Sequence, residues 1–319
     1  MLETPILFLV FNRPEKTSQV FELIRAAKPK KLYVSADGAR ASIADEFDKC
    51  QETRKLITEN VDWDCELFTL FRDENLGCKI AVSEGITWFF KNEEMGIILE
   101  DDCLPDMSFF SFCSELLRKY RNDDRVMHIA GTNFVNETLK ISDSYYFSIF
   151  PNIWGWATWR RAWEKYDSAL NSYPTFLEQG GYNSLFEDSI MSEYFYYFTN
   201  IVFNGKFNTW DLQWVYCVLT NNGLCIVPAV NLVSNIGFDV EATHTKGENK
   251  NVQKKSVECI EQVVHPSFIF SNKVADRIYF DIIHNGKYLR KSKTVVGKLI
   301  IFKNKVRFKL LQLVGLKPY

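Results

Sequence analysis

Residues 96–106, GIILEDDCLPD, carry an apolar run, Ile97-Ile98-Leu99, directly into Glu100, Asp101 and Asp102. Adjacent carboxylates at the mouth of a buried strand repel one another and resist the loss of water. A bound cation is the simplest offset. Mg²⁺ and Mn²⁺ favour oxygen ligands and accept one or two carboxylates together with substrate phosphates and water. A metal shared between a protein carboxylate and a diphosphate would neutralise leaving-group charge as a bond to a phosphate oxygen breaks. The local alternative is capping: Asp106 caps the helix that follows, and Asp101 or Asp102 sits solvated in the turn.

The elements that must position these acids read as alternating strands and helices. Residues 5–11 are continuously apolar, as in a strand covered on both faces. Pro14 then stands as at a helix start, with Val20, Leu23, Ile24 and Ala27 on one helical face. KLYVSADGAR is a second strand ending on Asp37-Gly38, DCELFTLF a third and MGIILE a fourth; RVMHIAG follows after another helix. This alternation predicts an α/β fold with a doubly wound, mostly parallel sheet. Ligands of such sheets bind beyond the carboxyl ends of the strands. Asn12-Arg13, Asp37-Gly38 and Asp101-Asp102 all fall at such ends, so three polar clusters converge on one edge. Asp37 before Gly38 also reads as an ordinary turn aspartate.

The second half is aromatic and less regular. FPNIWGWATWRRAW holds four tryptophans: Trp154 and Trp156, with Gly155 between them, read as lining a sugar site, and Trp159 and Trp163 as packing at helical spacing. A long helix is expected in LFEDSIMSEYFYYFTNIVF, and a helix leading into a strand in NTWDLQWVYCVLTNNGLCIVPAV. Three segments follow from these shifts: 1–135, the aromatic 136–262, and 263–319 as a helical, basic extension.

Composition narrows the class. With 46% apolar and 24% charged residues the chain is a folded protein, and a net charge of -2 argues against nucleic acid as a partner. None of the eight cysteines forms a CxxC pair, which disfavours a zinc ribbon. Scattered thiols in apolar surroundings and the lack of a leader-like N-terminus predict a reducing, cytoplasmic setting. After Asp281 there are no acids, while Lys287, Arg290, Lys291, Lys293, Lys298, Lys303, Lys305, Arg307 and Lys309 alternate with apolar residues. That pattern suits peripheral attachment to the inner face of an anionic membrane, at roughly 1 kcal/mol per cation. The alternative docks residues 295–302 on the main domain.

LVFNRPEKTSQVFELI, VSADG, NLGCKIAVSEGI and GIILEDDCLPDMSFFSF, in this order, resemble the nucleotide-sugar-binding half of GT-A-fold glycosyltransferases. Similarity is to the N-acetylglucosaminyltransferase I type and to bacterial family-2-like sugar transferases, and it covers about the first 135 residues. The resemblance implies that Arg13 and Asp37 contact the uracil end of a UDP-sugar, with Asn12 and Glu100 beside them. It further implies Asp101 near the ribose and donor sugar, and Asp102 as the ligand of Mn²⁺ or Mg²⁺. Where the animal enzymes carry a base-contacting histidine in the helix after LG, this chain has Ser83 (or Val82). His244, in ATHT, would close the metal site from a C-terminal loop, or is simply solvated.

An inverting transfer needs one carboxylate to deprotonate the acceptor hydroxyl. Asp211, between two tryptophans in NTWDLQW, resembles the family's base; locally it also reads as an N-cap or first-turn aspartate. The expected function is therefore metal-dependent inverting transfer from a nucleotide-diphosphate sugar, UDP-N-acetylglucosamine-like, to a glycan or lipid-linked acceptor in bacterial surface-polysaccharide synthesis. A sugar-phosphate nucleotidyltransferase is the enzyme alternative, although FNRPEK lacks the glycines its phosphate loop would carry. A non-catalytic carbohydrate-binding protein is the third reading.

Overall fold

The first strand, β1 (Ile6–Val10), is buried at every position, as an apolar run without alternation requires. It leads into α1 (Pro14–Ala27), which opens on proline at its first position and turns Val20, Phe21 and Ile24 inward. In this computed structural model, which describes residues 1–237 and 256–294, the pattern continues as β2 (Lys31–Ala36), α2 (Glu46–Thr58), β3 (Glu66–Phe71), α3 (Gly77–Asn92) and β4 (Met95–Glu100). Strands β3, β2, β1 and β4 lie side by side in that order, all parallel. Their register aligns Val10 with Ala36 and Leu9 with Glu100. Residues 11–13, 37–38 and 101–102 therefore leave the sheet at one edge.

After β5 (Cys103–Pro105) comes α4 (Met107–Lys119), capped by Asp106, whose carboxylate accepts from Ser108 N at 2.8 Å. Capping is thus the task of Asp106, and Asp101 and Asp102 stay outside it. Strand β6 (Val126–Ala130) and β7 (Tyr145–Ser148) precede a departure from the sequence reading. Trp159 and Trp163 do not share a helix face: Trp156–Trp159 is strand β8, and the one-turn α5 (Arg160–Trp163) only begins after it. β8 runs antiparallel between β4 and β6, buried on both sides. Trp156 and Trp159 therefore enter different cores, one on each face of the sheet. Both Trp159 and Trp163 do pack, with indole N–H groups donating to Leu117 O and Thr87 Oγ1, each at 3.0 Å.

The chain continues through α6 (Tyr173–Glu178), α7 (Ser189–Phe203), α8 (Asp211–Thr220), β9 (Leu224–Pro228), β10 (Val233–Asn235), α9 (Lys273–Ile283) and α10 (Gly286–Lys293). One eight-stranded, mostly parallel sheet results, ordered β3-β2-β1-β4-β8-β6-β9-β7, with strands from both halves of the chain. The architecture is Rossmann-like α/β. A separate two-stranded pairing joins β10 to β5.

Two buried polar groups anchor this frame. His128 accepts from Trp214 Nε1 at 3.3 Å and faces Asn152 O at 2.9 Å, which places its proton on Nε2. Burial lowers its pKa to about 3, so it is a neutral core residue. Asp276 of α9 meets Ser148 Oγ at 2.5 Å and Ile149 N at 3.3 Å, and burial raises its carboxyl to about 7. An acid whose folded pKa lies above its unfolded value stabilises the fold in its protonated form. That contribution is complete below about pH 4 and declines as pH rises towards 7. Asp276→Asn is expected to flatten the fall in melting temperature between pH 4.5 and 7.5, read as the difference from wild type across the series.

The basic extension is described only to residue 294. There Arg290 pairs with Asp188, at 2.7 Å, and with Asp281, while Lys293 reaches Glu193 at 2.5 Å. These cations of α10 are engaged with acids of α9, of α7 and of the cap that precedes α7. Residues 295–302 and the later lysines lie outside the described residues. Among the described residues no helix is long and apolar enough to cross a membrane, and none of the eight cysteines is in a disulfide.

Candidate active site

A cleft of ≈ 790 Å³ opens at the carboxyl edge of the parallel strands. It falls within the range of about 300–1,000 Å³ usual for small-molecule sites. Asn12, Arg13, Asp37, Glu100, Asp101, Asp102, Trp154 and Asp211 all line it.

Arg13 organises the acids. Its Nη2 and Nε meet Asp101 at 2.5 and 3.3 Å, and its Nη1 meets Asp102 Oδ2 at 3.1 Å. Burial opposes the Arg13 charge, but Asp101, Asp102 and Glu100 outweigh it and hold the guanidinium firmly protonated. Desolvation raises Asp101 to about 6 in spite of Arg13. Glu100 is pushed further, to about 8, by desolvation and then by the charges of Asp102 and Asp101. Three carboxylates facing one guanidinium leave two negative charges when all are ionised, the deficit a divalent cation offsets. Among the described residues no three His, Cys, Asp or Glu side chains converge on a complete metal site. The carboxylate oxygens lining the cleft are of the type a hard cation takes, one or two from a protein with phosphate and water for the rest. Asp102, more exposed than Asp101, is the carboxylate best placed for it.

Asp37 lines the cleft with its carboxylate bonded into the fold, as a turn aspartate's would be. Its Oδ1 accepts from Gly38 N and Leu76 N, both at 2.9 Å, and its Oδ2 from Gly77 N at 3.0 Å and Asn75 Nδ2 at 3.1 Å. A carboxylate has about four acceptor sites, and these bonds take them all. Asp37 thus ties the end of β2 to the start of α3, and a direct bond to a nucleobase would have to displace a partner. Asp37→Ala should lower the melting temperature by several degrees and weaken nucleotide binding, because three backbone N–H groups lose their acceptor. Paired thermal melts and binding isotherms check this; weaker binding with an unchanged melt would restore the base contact.

Asn12 is likewise engaged, donating to Glu46 Oε1 at 2.8 Å. Buried Glu46 also binds Arg40, through its backbone N at 2.6 Å and its guanidinium at 2.5 Å, and Arg40 lies 5.6 Å from the ring centre of Phe11. Sequence reasoning singled out Asn12 but not its partners Glu46 and Arg40, which lie on a polar stretch without periodicity.

Three expected site residues are elsewhere. Ser83 is buried, its hydroxyl donating to Lys79 O at 2.7 Å, while Cys78, Ala81 and Val82 present the cleft face of α3. Trp156 is fully buried, stacked on His128 with centroids 5.0 Å apart, because β8 is an interior strand. Gly155 (φ +59°) does not line the cleft; a Cβ there would lie 2.9 Å from Val233 Cγ2, so it makes room for β10. Trp154 alone of this trio lines the cleft. His244 lies outside the described residues.

Asp211 begins α8 on the other wall of the cleft. Its Oδ1 accepts from Leu212 N at 2.8 Å and from Thr209 Oγ1. Oδ2 has no hydrogen-bond partner among the described residues, and no cation there pairs with the carboxylate. Its charge reaches Glu100, adding to the forces that raise that carboxyl.

No protein-family model and no curated protein sequence matches the chain. Solved structures do show similarity. HddC from Yersinia pseudotuberculosis is 11% identical over 51% of this chain and 80% of that one, with a TM-score of 0.32. The UTP-bound UGPase from Acinetobacter baumannii is 11% identical over 53% and 79%, also at 0.32. A UDP-glucose pyrophosphorylase complexed with UDP-glucose is 12% identical over 46% and 62%, at 0.26. Overlaps this partial leave the reaction to be read from the cleft.

Proposed function

We propose that the cleft binds a nucleotide-diphosphate sugar with a divalent cation and transfers the sugar to an acceptor hydroxyl. The observation that carries this reading is Asp211, a carboxylate that, among the described residues, has one oxygen without a hydrogen-bond partner and no cation partner, in the same cleft as the acidic cluster. A cation held through Asp102 would neutralise charge on the departing diphosphate. Arg13 fixes Asp101 and Asp102, and Asp211 Oδ2 accepts the proton of the attacking hydroxyl. Trp154 offers an aromatic face to a sugar ring. With a single base acting on the acceptor and a cation carrying the leaving-group charge, a second catalytic acid is unnecessary and the expected outcome is inversion at the anomeric carbon.

Sugar-phosphate nucleotidyl transfer is the second reading, and it is in line with the pyrophosphorylase among the similar structures. In that reaction the nucleophile is a phosphate, already ionised, which needs no base and is better met by a cation than by Asp211. The β1–α1 connection also lacks a glycine-rich phosphate loop. Thermal shift with UDP, UTP and a panel of nucleotide sugars, with and without Mn²⁺, tests the binding half. Metal-dependent stabilisation by UDP supports transfer, since a nucleotide sugar is a ligand in both readings; stabilisation by UTP and not by UDP supports the second reading.

A further inference from the structure

The short β5–β10 pairing ends at the acidic cluster. Its register sets Asn235 opposite Cys103, one residue beyond Asp102. Val233 locks β10 in place: a Cβ on Gly131 or Gly155 would lie 2.4 or 2.9 Å from its Cγ2. Ile236 N donates to Asp102 O at 2.8 Å, so the segment after β10 is bonded to the backbone of the residue best placed to meet a cation.

The side chains repeat the connection. Asn235 Oδ1 accepts from Gly237 N at 2.7 Å, which assigns the amide orientation and turns Nδ2 towards Asp102 Oδ1, at 3.4 Å. Cys103 Sγ approaches the same oxygen at 3.6 Å, while Arg13 holds Oδ2. Gly237 closes the remaining side: a Cβ there would stand 2.3 Å from Asp102 Oδ2 and 3.0 Å from Asn235 Oδ1. Its φ lies outside the left-handed region, so a side chain is excluded by the carboxylate and not by backbone conformation. Asp102 is thus bounded by three chain segments, two of them distant in sequence.

We propose that Asn235 and Gly237 are positioning residues that fix the Asp102 carboxylate for a divalent cation. This rests on the cleft reading given above. Residues that orient a metal-binding carboxylate typically change affinity 10–100-fold when altered. Gly237→Ala forces the carboxylate out of its seat, and Asn235→Ala removes its donor without adding bulk.

The test is Mn²⁺ affinity in the presence of UDP, read from the electron paramagnetic resonance signal of free Mn²⁺, with melts of each metal-free variant. Both variants should bind Mn²⁺ at least about tenfold more weakly than wild type. Ser234→Ala, on the same strand, should bind as wild type does. Should Gly237→Ala melt early, Asn235→Ala carries the comparison. Wild-type binding with unchanged affinity in a folded Asn235→Ala overturns the proposal alone. A wild-type chain that retains no Mn²⁺ with UDP overturns the cleft reading and the proposal together.

Discussion

Asp211→Asn is expected to bind nucleotide sugar and Mn²⁺ about as well as wild type and to lose transfer by roughly 10²-fold or more, the usual scale for a positioned general base. The substitution keeps an Oδ1 that can accept from Leu212 N and Thr209 Oγ1, so the start of α8 is preserved. What disappears is the ability of the free oxygen to take a proton. Saturation kinetics should show the whole loss in kcat, with donor KM unchanged, because the base touches the acceptor hydroxyl only. An equal loss of donor binding would mean that Asp211 holds the nucleotide sugar. A product of retained anomeric configuration, read by NMR, would remove the single-base mechanism even if the variant were inactive.

Asp102→Asn should abolish metal-dependent stabilisation by UDP and lower transfer by roughly 10³-fold or more, corresponding to the several kcal/mol a bound metal supplies to a departing diphosphate. The fold should survive. Arg13 keeps both bonds to Asp101, and removing one of three crowded carboxylates relieves repulsion within the cluster. The metal-free variant is therefore expected to melt at or above the wild-type temperature. Full activity of Asp102→Asn in the presence of chelator would exclude the metal role.

Much of this arrangement is legible from local signals. Continuous apolar runs mark β1 and β4, and the polar residues at the ends of β1, β2 and β4 mark the cleft edge. Pro14 marks the start of α1, and the run of charge at Glu100, Asp101 and Asp102 points to a site together with the polar ends of β1 and β2. What stays hidden depends on contacts distant in sequence. Trp159 and Trp163 have helical spacing, yet β8 fits between β4 and β6 because both faces of that strand find cores to fill. Ser83 stands one position along α3 from cleft-lining Val82, a distinction that follows from which face of the helix packs on the sheet. Asp37 has the sequence of a turn aspartate, and only the approach of residues 75–77 reveals that its acceptor sites are filled. The seat made by Asn235 and Gly237 has no sequence signature, since more than a hundred residues separate it from Asp102.

The most direct test of nucleotide-sugar transfer is ³¹P NMR of the wild-type chain with Mn²⁺ and a panel of nucleotide sugars, followed by UTP with a sugar 1-phosphate. Transfer, even to water, predicts that at least one nucleotide sugar is converted to its nucleoside diphosphate, that chelator stops the conversion, and that UTP with a sugar 1-phosphate yields no pyrophosphate. Pyrophosphate from UTP and a sugar 1-phosphate, with every nucleotide sugar left intact, would contradict the account and identify the cleft as that of a nucleotidyltransferase.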